Sequence, residues 1–305
     1  MNDTITALDP IQVGVVTDAQ ARTGCTVALL GVDGLPCGVE VRGSAPGTRE
    51  TDLLEPGRTV GRAHAIVLAG GSAFGLAAAD GVAQELESRG IGFDTRAGLV
   101  PIVPAAVIFD LASGDARVRP GPEEGRRAVR SASSGPVPGG RIGAGAGAMI
   151  SKLRGFETAV AGGQGNALVQ AGGYRVAALA VVNAVGVVCD PVTGIVVAGQ
   201  GAGRPVDDEG LIAALQGPPW ANTTLVLVAT DAPLDTAGCR NLARAAHAGL
   251  ARAVRPSQTA LDGDTIFAVS TGTGPAASRL ALEHAAAVAT ARAIVDAVAT
   301  DPRRS

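Results

Sequence analysis

The chain has 305 residues, of which 47% are apolar, and a net charge of −3. That length supports one large domain or two small ones with a sizeable core. The lack of a basic block and of an aromatic platform excludes nucleic acid as an expected partner, and no apolar stretch is both long and glycine-free enough to span a bilayer.

In chain order, residues 11–17 and 24–31 read as strands, with a turn near Gly31-Val-Asp-Gly34. A third strand is expected over 35–42, and a polar loop over 43–60. His64-Ala-Ile-Val-Leu-Ala69 reads as a buried strand. Gly70-Gly71 then turns into a helix from Ser72 to about Arg89, with Ser72 as N-cap and Gly90 as stop. Residues 100–110 are apolar but hold two prolines, which fits an edge strand or a buried extended segment.

Residues 113–140 are rich in Gly, Pro, Ser and Arg and read as the longest break, a mobile surface segment. After the Gly/Ala run at 143–148, Tyr174 to Val185 reads as a long strand, with Gly194–Ala198 as its hairpin partner. A second polar segment, 204–221, precedes a strand over 224–230. Asp235 or Thr236 caps a helix to about Val254, followed by a strand at 264–270 and an Ala-rich helix at 278–299. Strand groups alternating with helices favour a layered α/β fold. The 43 glycines, about twice the usual share of about 7%, imply closely packed layers.

Cys25, Cys37, Cys189 and Cys239 form no CxxC pair. They read as reduced, buried thiols rather than disulfides or a zinc site, so no metal is expected. The first residues, MNDTITALDP, lack the basic-then-apolar order of a signal peptide. Together these features point to the cytoplasm. Lys152 is the only lysine beside 24 arginines. It is either a chance survivor or a kept ammonium, able to titrate and to donate three ways as guanidinium cannot.

Several motifs bear on chemistry. Gly143-Ala-Gly-Ala-Gly-Ala148 fits a dinucleotide loop only with Ala148 in the last place, and no Walker sequence occurs, so no cofactor is expected. Its glycines suit close backbone approach or N–H groups aimed at an anion. Ser72 sits where a nucleophile elbow would, but Phe74 takes the final Gly position. His64, His247 and His284 fall in structural patterns, which leaves a Ser-His-Asp triad as a second choice. Asp262-Gly-Asp264 places two carboxylates on one side of extended backbone, where each shifts the other's protonation; an ordinary Asp-Gly turn is the alternative. Asn183 ends a buried strand and can donate to an oxyanion or satisfy a turn, and Asn166 is a further amide. Asn222-Thr223-Thr224 opens an apolar strand. Cleavage of the Asn222–Thr223 bond would leave Thr223 with its own amine as base for its own hydroxyl.

These pieces together resemble the P1 family of peptidases, the aminopeptidase and β-aminopeptidase group that also contains nylon-oligomer hydrolases. The resemblance spans nearly the whole chain: Val15-Val-Thr-Asp18, Ala69-Gly-Gly-Ser-Ala-Phe-Gly-Leu76, Val100-Pro-Ile-Val-Pro104, Gly143–Ala148, Val182-Asn183, Asn222-Thr-Thr224, Ala229-Thr-Asp-Ala-Pro-Leu234 and Asp262-Gly-Asp-Thr265. It is similar above all to the nylon-oligomer hydrolase branch, which cuts between Asn and Thr and carries its acids in a DGDT sequence. Aminopeptidase relatives cut before Ser and use a Ser/Glu pair there.

The resemblance implies a four-layer αββα sandwich of the N-terminal-nucleophile-hydrolase type. It also implies a single domain, 1–305, cut into 1–222 and 223–305. Thr223 is then the nucleophile, Asp262 and Asp264 its proton-handling partners, and Lys152 and Asn183 fall at the branch's pocket Lys and Asn. The implied substrate is a small amide or peptide, and the implied assembly a homo-oligomer, a tetramer of cut pairs or larger. The branch has a pocket Tyr where this chain has Phe109, so a hydroxyl donor is missing. Rival expectations are an acyltransferase of the ornithine acetyltransferase type and an uncut binding protein of this fold.

Overall fold

The computed structural model describes residues 2–214 and 222–299. Two large sheets carry the fold. The first runs in the order Gln12–Asp18, Thr23–Leu29, Ala65–Ala69, Ala105–Val107 and Thr48–Arg49. The second runs Gly163–Ala171, Tyr174–Asn183, Thr223–Thr230, Thr265–Ser270, Leu35–Val41 and Arg62–Ala63. Thr223–Thr230 and Thr265–Ser270 are parallel neighbours in the middle of the second sheet.

Strand periodicity sorts the apolar side chains into layers. In Tyr174–Asn183, Ala177, Leu179 and Val181 face the first sheet, where they meet Leu68, Ala106 and Ile108. The alternate set, Val176, Ala178, Ala180 and Val182, faces helices α4 (Thr236–Ala253) and α5 (Arg279–Ala297). On the far side of the first sheet, Val27, Val67 and Ala69 pack on α1 (Ala78–Ser88) and α2 (Pro122–Ser131), while the short α3 (Asp208–Ala214) precedes the strand Thr223–Thr230 in the chain. The result is a four-layer αββα sandwich. Because the second sheet is covered on both faces, its strands read as continuous apolar runs rather than alternating ones.

Three expectations need correction. Residues 113–140 hold a helix, α2, whose proline stands at the first helical turn and whose first amide is met by Glu124 Oε2 2.9 Å from Gly121 N. This helix lies so close to α1 that a Cβ on Gly81 would meet the Pro122 carbonyl at 1.7 Å. The composition reads as loop, but its glycines permit contact. Second, the hairpin partner of Tyr174–Asn183 is Gly163–Ala171, turned by Gly172 and Gly173 at φ 57° and 93°. Two positive φ values in a two-residue loop demand glycine. Val196–Ala198 instead pairs with Val187–Cys189 in a separate small sheet. Third, Ser72 is not an N-cap: it has φ 54° and begins a 3-10 turn, Ser72–Ala77, that leads into α1.

Residues 102–107 are the buried extended segment expected of the two-proline stretch. Gly143–Gly145 forms a 3-10 turn between the sheets, where a Cβ on Gly145 would meet Gln164 N at 2.6 Å. Close backbone approach therefore explains these glycines. All four cysteines are free and buried, and burial pushes the Cys25 thiol up to about 12. Among the described residues no helix is long and apolar enough to cross a membrane.

Candidate active site

The centre of the second sheet converges at one end on the residues singled out above. Asn183, the last residue of its strand, is the cross-strand partner of Thr223, the first residue of the next. On the other side the parallel pairing extends past the strand ends, and Asn222 bridges to Asp262. Asn222 N donates to Leu261 O at 3.0 Å, and Gly263 N donates to Asn222 O at 2.8 Å. The Asn222–Thr223 peptide is thus clamped as an extension of a central strand. Thr223 Oγ1 donates to the Asn222 carbonyl oxygen at 2.5 Å.

The two aspartates are 1% exposed. Asp264 Oδ1 accepts from Thr224 N at 2.7 Å and Oδ2 from Gln258 N at 3.0 Å. Asp262 Oδ2 accepts from Thr259 N at 2.9 Å and Thr259 Oγ1 at 2.6 Å. Burial raises both carboxyls above the usual range. Asp264 is pushed further by the charge of Asp262, against the pull of its two amide donors. For Asp262 the Thr259 donors, the Lys152 charge and the Val185 N–H pull the other way.

Lys152 follows the two-residue strand Met149–Ile150. Ser151 turns the backbone at φ 62°, and Lys152 N donates to Val185 O at 2.9 Å, which points the side chain inward. Its Nζ donates to Asn183 O at 3.0 Å and to Asn183 Oδ1 at 3.1 Å. Burial lowers its ammonium to about 7, although the Asp262 carboxylate favours the charged form. The chain's lone lysine is therefore a buried group that titrates near neutrality. The Asn183 amide also accepts from Met149 N at 2.9 Å and donates to the Phe109 carbonyl at 3.1 Å. Phe109 is half-buried and touches the cluster through that carbonyl.

The remaining candidates lie elsewhere. Asn166 donates to Val137 O at 3.1 Å. His64 Nδ1 accepts from Ile102 N at 3.1 Å, and His247 Nε2 meets Glu40 O at 3.0 Å. Among the described residues no histidine hydrogen-bonds to Ser72, and no group of His, Cys, Asp and Glu has metal-site geometry. Gly263, Gln258 and Thr259, which supply backbone and hydroxyl donors to the cluster, carry no sequence signal beyond the DGDT glycine. Two residues past Lys152, Arg154 lines a cavity of about 310 Å³ together with Val187, Gln200, Arg204 and Asp207. Gln200 N ties its wall to Ser151 Oγ at 2.9 Å.

The acid pair makes a stability prediction. Asp264 titrates above its unfolded value of 3.8, so the folded chain keeps a proton that the unfolded chain releases. That contribution is complete below 3.8 and is lost as pH rises through the folded value. Asp264→Asn should flatten the fall in urea midpoint between about pH 4 and 8. Parallel midpoint curves would contradict the burial argument.

The family profile described as Peptidase family S58 matches residues 3–302. An uncharacterized aminopeptidase of Mycobacterium leprae is 44% identical over 292 residues, covering 88% of this chain and 79% of that protein. A 6-aminohexanoate-oligomer endohydrolase of Kocuria sp. is 34% identical over 269 residues, covering 86% and 73%. Among solved structures, a Burkholderia sp. beta-aminopeptidase superposes with a TM-score of 0.73 at 25% identity, covering 97% of this chain and 86% of that one. The l-aminopeptidase d-ala-esterase/amidase of Ochrobactrum anthropi, described as a variant of the Ntn hydrolase fold, gives 0.72 at 21% identity, covering 97% and 85%.

Proposed function

The chain belongs to peptidase family S58, and from that premise we propose that it is a self-processing amide hydrolase whose nucleophile is Thr223. The observation that carries the reading is the clamped junction. Thr223 Oγ1 lies 2.5 Å from the Asn222 carbonyl oxygen, and that oxygen also takes the Gly263 N–H at 2.8 Å.

In the first step Oγ attacks the Asn222 carbonyl carbon and loses its proton. Negative charge develops on the carbonyl oxygen, where Gly263 N–H already points. The C–N bond then breaks, and the Thr223 nitrogen takes up a proton. This leaves an ester between Asn222 and Thr223 Oγ. Water cleaves the ester to give 1–222 and 223–305 with a free amine on Thr223. An α-amine has a reference pKa of about 7.7–8.0, so a working fraction is neutral near neutral pH and can accept the Oγ proton in later turnovers.

In those turnovers Oγ attacks the substrate amide, the leaving amine takes a proton, and water cleaves the acyl-Thr ester. Asp262 and Asp264 hold the new amine and relay protons. Lys152, titrating near neutrality, stabilises the deprotonated Oγ or returns its proton. Asn183 orients Lys152 through Oδ1. One of its amide hydrogens goes to Phe109, and the reading gives the other to the substrate oxyanion.

Relatives carry both the aminopeptidase and the oligomer-endohydrolase names, so the substrate class is a small peptide or linear amide. The reading includes assembly of cut pairs into a tetramer or larger, in the cytoplasm. A purified sample on a denaturing gel should show two fragments divided at 222/223, and a single intact chain after long incubation would sink the reading. A panel of amino-acid p-nitroanilides and 6-aminohexanoate oligomers then separates aminopeptidase from endohydrolase activity.

A further inference from the structure

One turn supplies three of the five hydrogen bonds that hold the acid pair, and the steps above make no use of it. Gln258, at φ 56°, aims its N–H at Asp264, and the next residue, Thr259, aims both N–H and Oγ1 at Asp262. Thr259 Oγ1 also accepts from Leu261 N at 3.1 Å. Its lone pair is engaged there, so its proton is directed to the carboxylate. The turn is anchored behind by Gln258 Nε2, which lies 3.3 Å from His247 O and from His247 Nδ1 in α4. His247 Nε2 faces the Glu40 carbonyl, so Nε2 carries the ring proton and Nδ1 accepts.

We propose that Thr259 is a positioning residue: its hydroxyl fixes the Asp262 carboxylate toward Lys152 and, once the chain is cut, toward the Thr223 amine. This rests on Thr223 being the nucleophile. Two donors on one carboxylate oxygen favour its charged form. Asp264, deeper in the field of Asp262, then holds the proton of the pair. With the Val185 N–H, Asp262 has three donors against two on Asp264, and the Thr259 hydroxyl is the extra one that favours Asp262 as the charged member of the pair. The charged groups facing Asp262 are Lys152 from the loop after Ile150 and Asp264 from its own segment, joined by the Thr223 amine of the central strand once the chain is cut. His247 stands behind Gln258 and makes no bond to either carboxylate.

Thr259→Val keeps the side-chain shape and the backbone N–H but removes the hydroxyl. A hydrogen bond to a charged group lost in this way lowers kcat about tenfold, with KM nearly unchanged. Because the charged form of Asp262 loses a donor, the acid limb of the kcat–pH profile moves to higher pH. Thr259→Ser restores both the rate and the limb. If Thr259→Val does not fold, Thr259→Ala against Thr259→Ser reads the same contrast. A variant with a lowered melting temperature but kcat within about twofold and an unmoved acid limb overturns the proposal, since turn closure alone has that effect. Failure of Thr259→Ser to restore the limb also overturns it. The parallel Thr223→Ala control keeps the two questions apart. Hydrolysis in that control rejects the Thr223 reading, whereas a silent control beside a parent-like Thr259→Val rejects this inference alone.

Discussion

Thr223→Ala should run as one uncut chain of 30.1 kDa on a denaturing gel, and its amide hydrolysis should fall by about 10⁴-fold or more. In the proposed mechanism the same oxygen has two jobs, cutting the chain and then cutting substrate. Removing it takes away both at once. The fold should survive. Thr223 is buried, but its strand is held by ladder bonds to Tyr174–Asn183 and Thr265–Ser270, which an alanine keeps. Its Oγ1 donates to the Asn222 carbonyl oxygen, which keeps the Gly263 N–H when the hydroxyl is removed. Thr223→Ser should still cut, because it keeps the hydroxyl. Substantial hydrolysis by the alanine variant would move the nucleophile elsewhere.

Lys152→Met should fold and yet lose about 10²–10⁴-fold in kcat, the usual span of a positioned proton-transfer group. Met fills the stem volume of a side chain that is 3% exposed, so packing is largely kept. What disappears is an ammonium on Asn183 that sits near its titration midpoint at neutral pH. Lys152→Arg should not rescue activity, because guanidinium stays charged and its planar fork needs more room. Stability gives a second readout. The folded value, about 7, lies below the unfolded 10.5, so between them the unfolded chain binds more protons. Parent stability therefore rises with pH across that window, and Lys152→Met should remove the rise. A variant with parent kcat would leave Lys152 a structural residue.

Much of the molecule was legible from periodicity and punctuation. Strands over 12–18, 23–29, 35–41, 65–69, 223–230 and 265–270 each stand where apolar runs end at Gly, Pro or Asp. The convergence of Thr223, Asn183, Asp262 and Asp264 was legible only through a resemblance to a family. Spacing puts each at a strand end, but cross-strand neighbours are a matter of sheet order. What was missed has a local cause. Pro122–Ser131 is a helix whose glycine and arginines, set in a Gly/Pro/Ser-rich stretch, resemble loop composition, and its helicity comes from packing on α1 rather than from propensity. Gly163–Ala171 is half polar and ends in Gly172-Gly173, a hairpin signal masked by the surrounding glycines. Gln258 and Thr259 act through backbone direction, which no residue type announces.

The order of the second sheet has a consequence for the two products of a cut at 222/223. The smaller product, 223–305, owns Thr223–Thr230 and Thr265–Ser270. The larger product owns the strands on either side, Tyr174–Asn183 and Leu35–Val41. One piece is threaded through the middle of the other, like a wedge in a closed book. Breaking one covalent bond therefore frees nothing: the halves share ladders on both flanks and a common core, and they should co-elute under native conditions. A gene encoding 223–305 alone would produce a pair of orphan strands with two helices and no sheet to join.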